Sequence, residues 1–289
     1  MAKPSDKLVA WISPEQSELL AAVIKEANMN LVAVGTSNQS ELAALASSLH
    51  VDHCSDIRAM ATDYDDAVLW IAEPAAYDVS LCDLLRHRSC SVATTTPLSG
   101  EIEELVAQAG QPPAAKFVPL MRRSSGYGEA LDDIEQFGQP TSAHCMMLCS
   151  NIEGTLWSRL FDAMDFIDHL FGTPECVQAF LHSNNVPDEA SDLRGHMTVN
   201  LQFQHQRCAT MLLSDQATWK REAFMISEDH SIVVGDGDAT PARLIADGIH
   251  SDKETTADAP HVLALCEAAR LSCLTGSVEQ PSRVLEMFG

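Results

Sequence analysis

The residues best suited to chemistry are concentrated in one stretch, "WSRLFDAMDFIDHLFG". It contains Asp162, Asp165, Asp168 and His169 within a few residues of one another. If the stretch is helical, Asp162, Asp165 and His169 share one face, because residues three and four apart are neighbours on a helix. Carboxylates and an imidazole at that spacing could bind a metal ion or act as an acid–base pair. The alternative is a helix side that faces solvent or a second domain.

A second group follows a predicted strand, where Arg122 and Arg123 precede the sequence "SSGYG". Guanidinium groups match the geometry of carboxylate and phosphate, so the two arginines could clamp an anionic substrate. Tyr127 could line the same cleft. The competing interpretation is that the arginines form salt bridges at a domain junction with the abundant acidic residues. The sequence leaves both open.

The charge balance excludes several classes of partner. The chain has 18 Lys and Arg against 41 Asp and Glu, a formal charge of −23. Nucleic acids and anionic membranes both require a cationic surface, so neither is expected as a partner. No apolar run approaches the roughly 20 residues of a membrane span, and the N-terminal stretch lacks the pattern of a secretory signal. Nine cysteines without a Cys-x-x-Cys pair favour free thiols in a reducing compartment. We therefore expect a cytoplasmic protein.

The elements that must position these side chains change in character along the chain. Up to about residue 120, strands such as "KLVAWIS" and "AVLWIAEP" alternate with helices, among them "GEIEELVAQAG". These strands are apolar throughout, which is typical of a parallel sheet covered on both faces. At the first junction, Ser13, Pro14 and Gln16 have the pattern of a capping box at a helix start. The pattern predicts an α/β domain.

The second half has the pattern of a different fold class. Stretches such as "HMTVNLQFQ" and "RCATMLLSD" alternate between apolar and polar residues, and a long amphipathic helix covers residues 154–172. This predicts an α+β domain with an open, mostly antiparallel sheet. The "GDGD" at 235–238 predicts a hairpin turn, since it offers too few ligands for calcium.

Several stretches, in order along most of the chain, resemble the Gfo/Idh/MocA family, the relatives of glucose-fructose oxidoreductase and inositol dehydrogenase. They are "NLVAVGTSNQSELAALASSLHV", "AVLWIAEPAAYD", "TTTPLSGEIEELVAQAG", "VPLMRRSSGYGEALDDI" and "WSRLFDAMDFIDHLFGTP". The resemblance implies a Rossmann-like domain at residues 1–121 and a substrate and oligomerisation domain at residues 122–289. It also implies an NAD(P) cofactor, a small sugar-like substrate, and a homodimer formed through the second sheet.

The residues at the family's cofactor positions depart from its pattern. By resemblance these positions are Ser13, Thr36, Ser37, Glu73 and Pro97. Ser13 lies in "ISPEQSE", which has no glycine, although glycines let the backbone approach a pyrophosphate at a helix N-terminus. Glu73 puts a carboxylate where the diphosphate or nicotinamide is expected, and like charges repel. Thr36 and Ser37 replace the usual acidic residue and could still bind a ribose.

The family's catalytic residues are also replaced. Thr96 corresponds to the lysine of the family's Glu-Lys-Pro segment, Asp162 to its histidine, and Asp165 to its aspartate. An aspartate has an ordinary pKa of about 3.9 against about 6.5 for histidine, so it is no simple substitute. From their chemistry and their place in the chain, we predict that Arg122, Arg123, Tyr127 and His169 face a substrate.

Three hypotheses follow. The first is a family homologue that has lost its cofactor site and catalytic residues and that acts as a binding, regulatory or scaffold subunit or as an enzyme with altered chemistry. The second is an active NAD(P)-dependent oxidoreductase that holds its cofactor by unusual contacts. The third and weakest is a metal-dependent lyase or hydrolase that uses Asp162, Asp165 and His169.

Overall fold

The computed structural model describes residues 5–74, 76–99, 106, 108, 110–124, 126–128, 130, 137–183, 189–251 and 259–286. The chain divides into two compact units. The first contains the described residues of 5–98, 110–119 and 240–251, and the second contains the others. Residues 240–251 thus belong to the first unit although they follow the second sheet in sequence, whereas the sequence predicted one division after residue 121. The predicted helix "GEIEELVAQAG" falls mostly outside the described residues.

The elements lie close to where the sequence patterns predict them. The strands are β1 (Lys7–Trp11), β2 (Asn30–Gly35), β3 (Asp52–Cys54), β4 (Val68–Ile71), β5 (Val92–Thr94), β6 (Lys116–Phe117), β7 (Ser142–Ser150), β8 (Cys176–His182), β9 (His196–Gln202), β10 (Cys208–Ser214), β11 (Gln216–Ile226) and β12 (Ser231–Gly235). The helices are α1 (Ser17–Ala27), α2 (Leu42–Leu49), α3 (Ile57–Asp63), α4 (Val79–Leu85), α5 (Leu156–Phe171), α6 (Pro241–His250), α7 (Pro260–Thr275) and α8 (Pro281–Glu286).

The first sheet has the strand order β3-β2-β1-β4-β5-β6, and its neighbouring strands run parallel. This is the order of the dinucleotide-binding α/β fold, in which ligands bind where the strand order reverses, between β1 and β4. The central strands are buried on both faces, as their continuous apolar sequence predicts. The predicted parallel α/β domain is therefore confirmed.

Helix α6 of the first unit is an element that the sequence patterns did not predict. It begins at Thr240, whose hydroxyl oxygen accepts a hydrogen bond from the backbone N–H of Arg243, and at Pro241. Its residues Ile245 and Ile249 join the core cluster that contains Leu20 and Val23 of α1. The helix thus completes the cover of one face of the first sheet.

The second sheet has the order β12-β11-β7-β10-β9-β8. The pair β7–β10 is parallel, and the other neighbouring pairs are antiparallel, as predicted. Helices α5 and α7 pack together, α5 against β7 and β10 and α7 against β8. The "GDGD" segment connects β12 to α6, so the predicted hairpin turn there is wrong. The turn between β11 and β12 lies at residues 227–230 instead.

Among the described residues, none of the helices combines the length and apolar character that crossing a bilayer would require. All nine cysteines are free thiols. Cys145 and Cys149 lie on the buried face of β7, and burial raises the pKa of Cys149 to about 12. These two thiols therefore serve as small apolar side chains.

Candidate functional site

The carboxyl end of β1 in the first unit is closed by its own side chains. The backbone N–H of Ser13 donates to the Gln16 side-chain oxygen at 2.9 Å, and the Gln16 amide nitrogen donates to the Ala72 carbonyl at 3.2 Å. Gln16 is buried. Pro14, at the start of the helical segment, has no N–H to offer. The donors that would bind a phosphate in this fold are thus engaged internally or missing.

Glu73 lies directly after β4 and crosses this end of the sheet. Its carboxylate accepts a hydrogen bond from the backbone N–H of Ser37 at 2.8 Å. Ser37 follows β2, so the contact connects the strands on either side of β1. Burial raises the pKa of Glu73, and the hydrogen bonds from Ser37 oppose that rise. An acidic group therefore occupies the position where the strand order reverses.

Trp11, at the end of β1, fills the space beside β2. A Cβ atom on Gly35 would lie 2.3 Å from the Trp11 ring and 2.9 Å from the Cys54 carbonyl oxygen, so only glycine fits there. The indole is almost fully buried. Sequence reasoning missed this side chain as part of the site. The available signal was a tryptophan where this fold usually has a glycine-rich loop.

Of the hydroxyl-bearing residues predicted at the site, Thr36 and Thr96 are buried, whereas Ser37 is exposed. The Thr36 hydroxyl oxygen accepts from the Asn38 N–H at 3.2 Å. After β5, the Thr96 N–H donates to the Thr94 hydroxyl oxygen at 3.0 Å, and that hydroxyl donates to the Thr96 carbonyl at 2.9 Å. Thr96 and Pro97 are buried in this turn. A threonine hydroxyl supplies no proton near neutral pH.

In the second unit, Asp162 belongs to a buried group of ion pairs. Its two carboxylate oxygens accept hydrogen bonds from the Met121 N–H and from the Arg221 guanidinium, each at 2.8 Å. Arg221 also contacts Asp236 through two hydrogen bonds of 2.7 and 2.9 Å. Arg159 lies 3.7 Å from Asp162 and 4.9 Å from the Trp219 ring centroid. We call Arg159, Asp162, Arg221 and Asp236 the buried ion cluster.

The buried ion cluster gives Asp162 a structural role. Asp162, Arg159 and Arg221 are at most 2% exposed, and two cations balance two anions. Burial lowers the pKa of Arg221, but the attraction of Asp162 and Asp236 outweighs it, and the net shift is upward. Both oxygens of Asp162 are engaged, so this carboxylate is not arranged as a general acid or base.

Asp165, also on α5, forms a second ion pair with Arg122, which precedes that helix in sequence. Two hydrogen bonds connect the guanidinium to the carboxylate, and the one from Nη2 to Oδ1 measures 2.9 Å. Burial raises the pKa of Asp165, whereas Arg122 lowers it. Of the two interpretations of Arg122 open from the sequence, the structure favours the salt bridge. Arg123 is exposed.

Tyr127 and His169 lie beside this second ion pair. Their ring centroids are 6.3 Å apart in an edge-on arrangement, and Tyr127 also contacts Phe166. Burial, assisted by the charge of Arg122, lowers the pKa of His169. Asp168 pairs with His261 at 3.0 Å, whereas Asp165 pairs with Arg122.

Within the described part of the chain, no group of three or more potential ligands is arranged for a metal ion. The arginine partners of Asp162 and Asp165 argue against the third hypothesis.

No protein-family model matches the sequence, and no curated protein matches it. Solved structures do match its fold. Scyllo-inositol dehydrogenase from Lactobacillus casei with bound NAD(H) and scyllo-inositol has a TM-score of 0.68 at 15% identity, over 97% of this chain and 100% of that one. Myo-inositol dehydrogenase from Corynebacterium glutamicum has a TM-score of 0.69 at 12% identity, and the match covers 96% of this chain and 98% of that one. WlbA dehydrogenase from Bordetella pertussis, in complex with NADH and UDP-GlcNAcA, has a TM-score of 0.67 at 14% identity, and the match covers 96% of this chain and 98% of that one.

These matches span nearly the whole length of both chains, so the fold resemblance drawn from the sequence is confirmed. The fold is that of the inositol dehydrogenases and related oxidoreductases. At this level of identity, the likeness extends to the fold alone. The segment that follows β1 contains no glycine, and the Glu73 carboxylate lies at the same end of the sheet against the Ser37 N–H.

Proposed function

We propose that this protein is a divergent homologue of the Gfo/Idh/MocA oxidoreductases that has lost their usual cofactor site and acts as a cytoplasmic ligand-binding or regulatory protein. The observation that carries the proposal is the hydrogen bond from the Ser37 N–H to the Glu73 carboxylate across the end of β1. It puts a negative charge, held by the protein's own backbone, in the crevice where this fold binds a dinucleotide.

The negative charge of Glu73 opposes the binding of a pyrophosphate more strongly than the loss of one hydrogen-bond donor does. Like charges about 4 Å apart repel by roughly 4 kcal/mol near a protein surface. That is roughly a thousandfold in affinity. The engaged Ser13 N–H and the absent N–H of Pro14 remove attractive contacts as well. Repulsion and lost donors act in the same direction, against binding of a pyrophosphate.

The replaced catalytic residues support the same proposal. Thr96 offers a hydroxyl in a closed turn where the family has a lysine, and Asp162 is engaged by Arg221 and Met121 where the family has a histidine. Neither group is arranged to transfer a proton during hydride transfer. We therefore expect no dehydrogenase activity by the family's usual route.

A second candidate function is an active NAD(P)-dependent oxidoreductase on a small, sugar-like substrate. What favours it is the fold, which is shared over almost the whole chain with dehydrogenases solved with NAD(H) or NADH. It requires Glu73 to leave Ser37 or to be protonated, so that the backbone at the end of β2 can approach a ribose. The substrate would then meet Arg122, Arg123, Tyr127 and His169.

Titration with NADH and NADPH, followed by nucleotide fluorescence and calorimetry, distinguishes the two candidates. We expect no saturable binding up to about 1 mM, where a weak complex would already be half formed. An NAD(H)-binding dehydrogenase of the same fold serves as the positive control. Binding in the micromolar range would overturn the first proposal and establish the second candidate as the better one.

We also propose that the second sheet forms a homodimer through the face opposite α5 and α7. On that face Phe180, Leu212 and Phe224 are 55%, 43% and 38% exposed, and Val233 is 57% exposed. The strand registers align Phe180 with Leu212 through Thr198, and Phe224 directly with Val233. Exposed apolar side chains of this kind on the face of an open sheet are typical of a protein interface. A second copy of the chain would bury them.

A further inference from the structure

The second unit contains a pocket that none of the sequence motifs identified. It has a volume of about 810 Å³, within the usual range for sites that bind small molecules. It lies at the carboxyl ends of β7 and β10, and its walls include Asn151, Glu153, Arg194, Asp215 and Trp219. These residues all belong to the second unit.

Asp215 is the residue that gives the pocket its chemistry. It is the single residue between β10 and β11, and it is only 1% exposed. One carboxylate oxygen accepts the Gly195 N–H at 2.8 Å, but the other has no hydrogen-bond partner among the described residues. The nearest cation, Nε of Arg194, is 3.8 Å from that oxygen, beyond hydrogen-bond distance. A buried carboxylate oxygen without a partner is costly, and a ligand that donates to it would remove the cost.

The charges around the pocket indicate what kind of donor suits it. Glu153 supplies a second carboxylate, held by hydrogen bonds from the backbone N–H and hydroxyl of Ser150 at 2.8 and 2.9 Å. Among the described residues of the pocket wall, two carboxylates stand beside the one guanidinium of Arg194, which leaves an excess of one negative charge. The chain as a whole carries −23, which further favours cations. A hydroxyl could donate to Asp215 but would leave this charge unbalanced.

From this geometry we infer that the pocket binds a small molecule through a primary ammonium group that donates to Asp215. An ammonium carries three donors and one positive charge, so it satisfies the orphaned oxygen and balances the charge of the wall. A bare metal ion is a poorer occupant, because Asp215 and Glu153 offer few ligands and none of the described residues of the pocket wall is a histidine or a cysteine. The inference rests on the binding role proposed above and specifies the chemistry of its ligand.

Matched amines and alcohols test the inference directly. The purified protein is titrated calorimetrically with glucosamine and glucose, and with 1,4-diaminobutane and 1,4-butanediol. We expect at least one amine to bind at least tenfold more tightly than its alcohol. Equal binding of amine and alcohol, or no amine binding up to about 10 mM, would overturn the inference.

Two variants locate the binding. Asp215→Asn keeps an oxygen for the Gly195 N–H but removes the charge, and we expect it to weaken amine binding at least tenfold. Glu228→Gln makes the same charge change on the exposed turn between β11 and β12 and should leave binding unchanged. Equal affinity in wild type and Asp215→Asn, with both folded by circular dichroism, would place the amine elsewhere and refute the assignment. NADH titration of the same samples reports on the proposed function separately, since micromolar NADH binding would refute that proposal whatever the amines do.

Discussion

At the scale of single residues, the buried ion cluster explains why position 162 carries an aspartate. Arg159 and Arg221 are fully or almost fully buried, and each needs negative charge nearby. A histidine at position 162 could not supply that charge. The sequence identified Asp162 as a departure from the family but not its partners, because Arg221 is 59 residues away along the chain and Asp236 lies in a segment that resembles a plain turn. Pairings over such distances have no periodicity from which to predict them.

Asp162→Asn tests this role. The variant keeps the shape of the side chain but leaves Arg221 and Arg159 with half of their compensating charge. We expect the free energy of unfolding to fall by about 3–5 kcal/mol, the usual cost of breaking a buried ion pair. Urea denaturation measures it. Asp168→Asn on the same helix is the control, because its pair with His261 is partly exposed and exposed pairs contribute about 0–1 kcal/mol. Equal losses in both variants would contradict the structural role of Asp162.

Glu73→Gln tests the environment of the crevice through pH. The folded-state pKa of Glu73 is raised above its ordinary 4.5, chiefly by burial, so the native state holds the proton more tightly than the unfolded chain. Wild-type stability therefore falls as pH rises from 4.5 through the raised pKa. Glutamine cannot ionise, so this part of the fall should vanish in the variant.

The measurement is urea denaturation of wild type and Glu73→Gln across the acid range. We expect wild type and Glu73→Gln to be equally stable at the lowest pH. Near neutral pH we expect Glu73→Gln to be more stable than wild type. Glu26→Gln, an exposed position on α1, is the matched control and should show no such divergence. A variant that loses stability relative to wild type as pH rises would mean that the Ser37 contact outweighs burial.

At the scale of elements, the sequence patterns predicted the parallel sheet of the first unit, the mostly antiparallel sheet of the second unit and the long helix α5. Continuous apolar runs distinguish the buried strands of the first sheet, and alternation distinguishes the half-exposed strands of the second. Helix α6 was missed because its pattern follows the second sheet, where no further element of the first unit was expected. The capping box at Ser13 and Gln16 was predicted, but its link to the Ala72 carbonyl was not, since that contact crosses from β1 to β4.

The contact between α5 and α7 should make stability depend on pH. His261 at the start of α7 pairs with Asp168 of α5 at 3.0 Å, and this hydrogen bond raises the pKa of His261 above its ordinary 6.5. The stabilisation from this ion pair is fully present below pH 6.5 and is lost as the pH rises through the raised pKa of His261. The pair is partly exposed, so the effect is small and weakens with salt.

Urea denaturation of His261→Gln between mildly acid and mildly alkaline pH measures this contribution. We expect wild type to lose stability relative to the variant as pH rises, and the difference to shrink at high ionic strength. His230→Gln, on an exposed turn, is the control and should parallel wild type. A difference that stays constant with pH would show that His261 acts through packing alone.

At the scale of the whole molecule, net charge and the open sheet have opposing effects on self-association. Each copy carries −23, so two copies repel one another over the Debye length of about 8 Å at physiological salt. Burial of the exposed apolar side chains on the outer face of the second sheet opposes this repulsion with about 25 cal/mol for each Å² removed from water. We therefore expect a dimer that strengthens as ionic strength rises.

Leu212→Glu tests this interface, because Leu212 lies on the outer face of the second sheet at 43% exposure. A glutamate there would bury a charge against the partner's sheet, and we expect light scattering after size exclusion to fall from twice 31.4 kDa to 31.4 kDa. Leu274→Glu is the matched control, since Leu274 is 40% exposed but lies near the end of α7, away from that face. It should leave the dimer intact. A wild-type mass of 31.4 kDa at every concentration and ionic strength would refute the dimer, and dissociation by both variants would place the interface elsewhere.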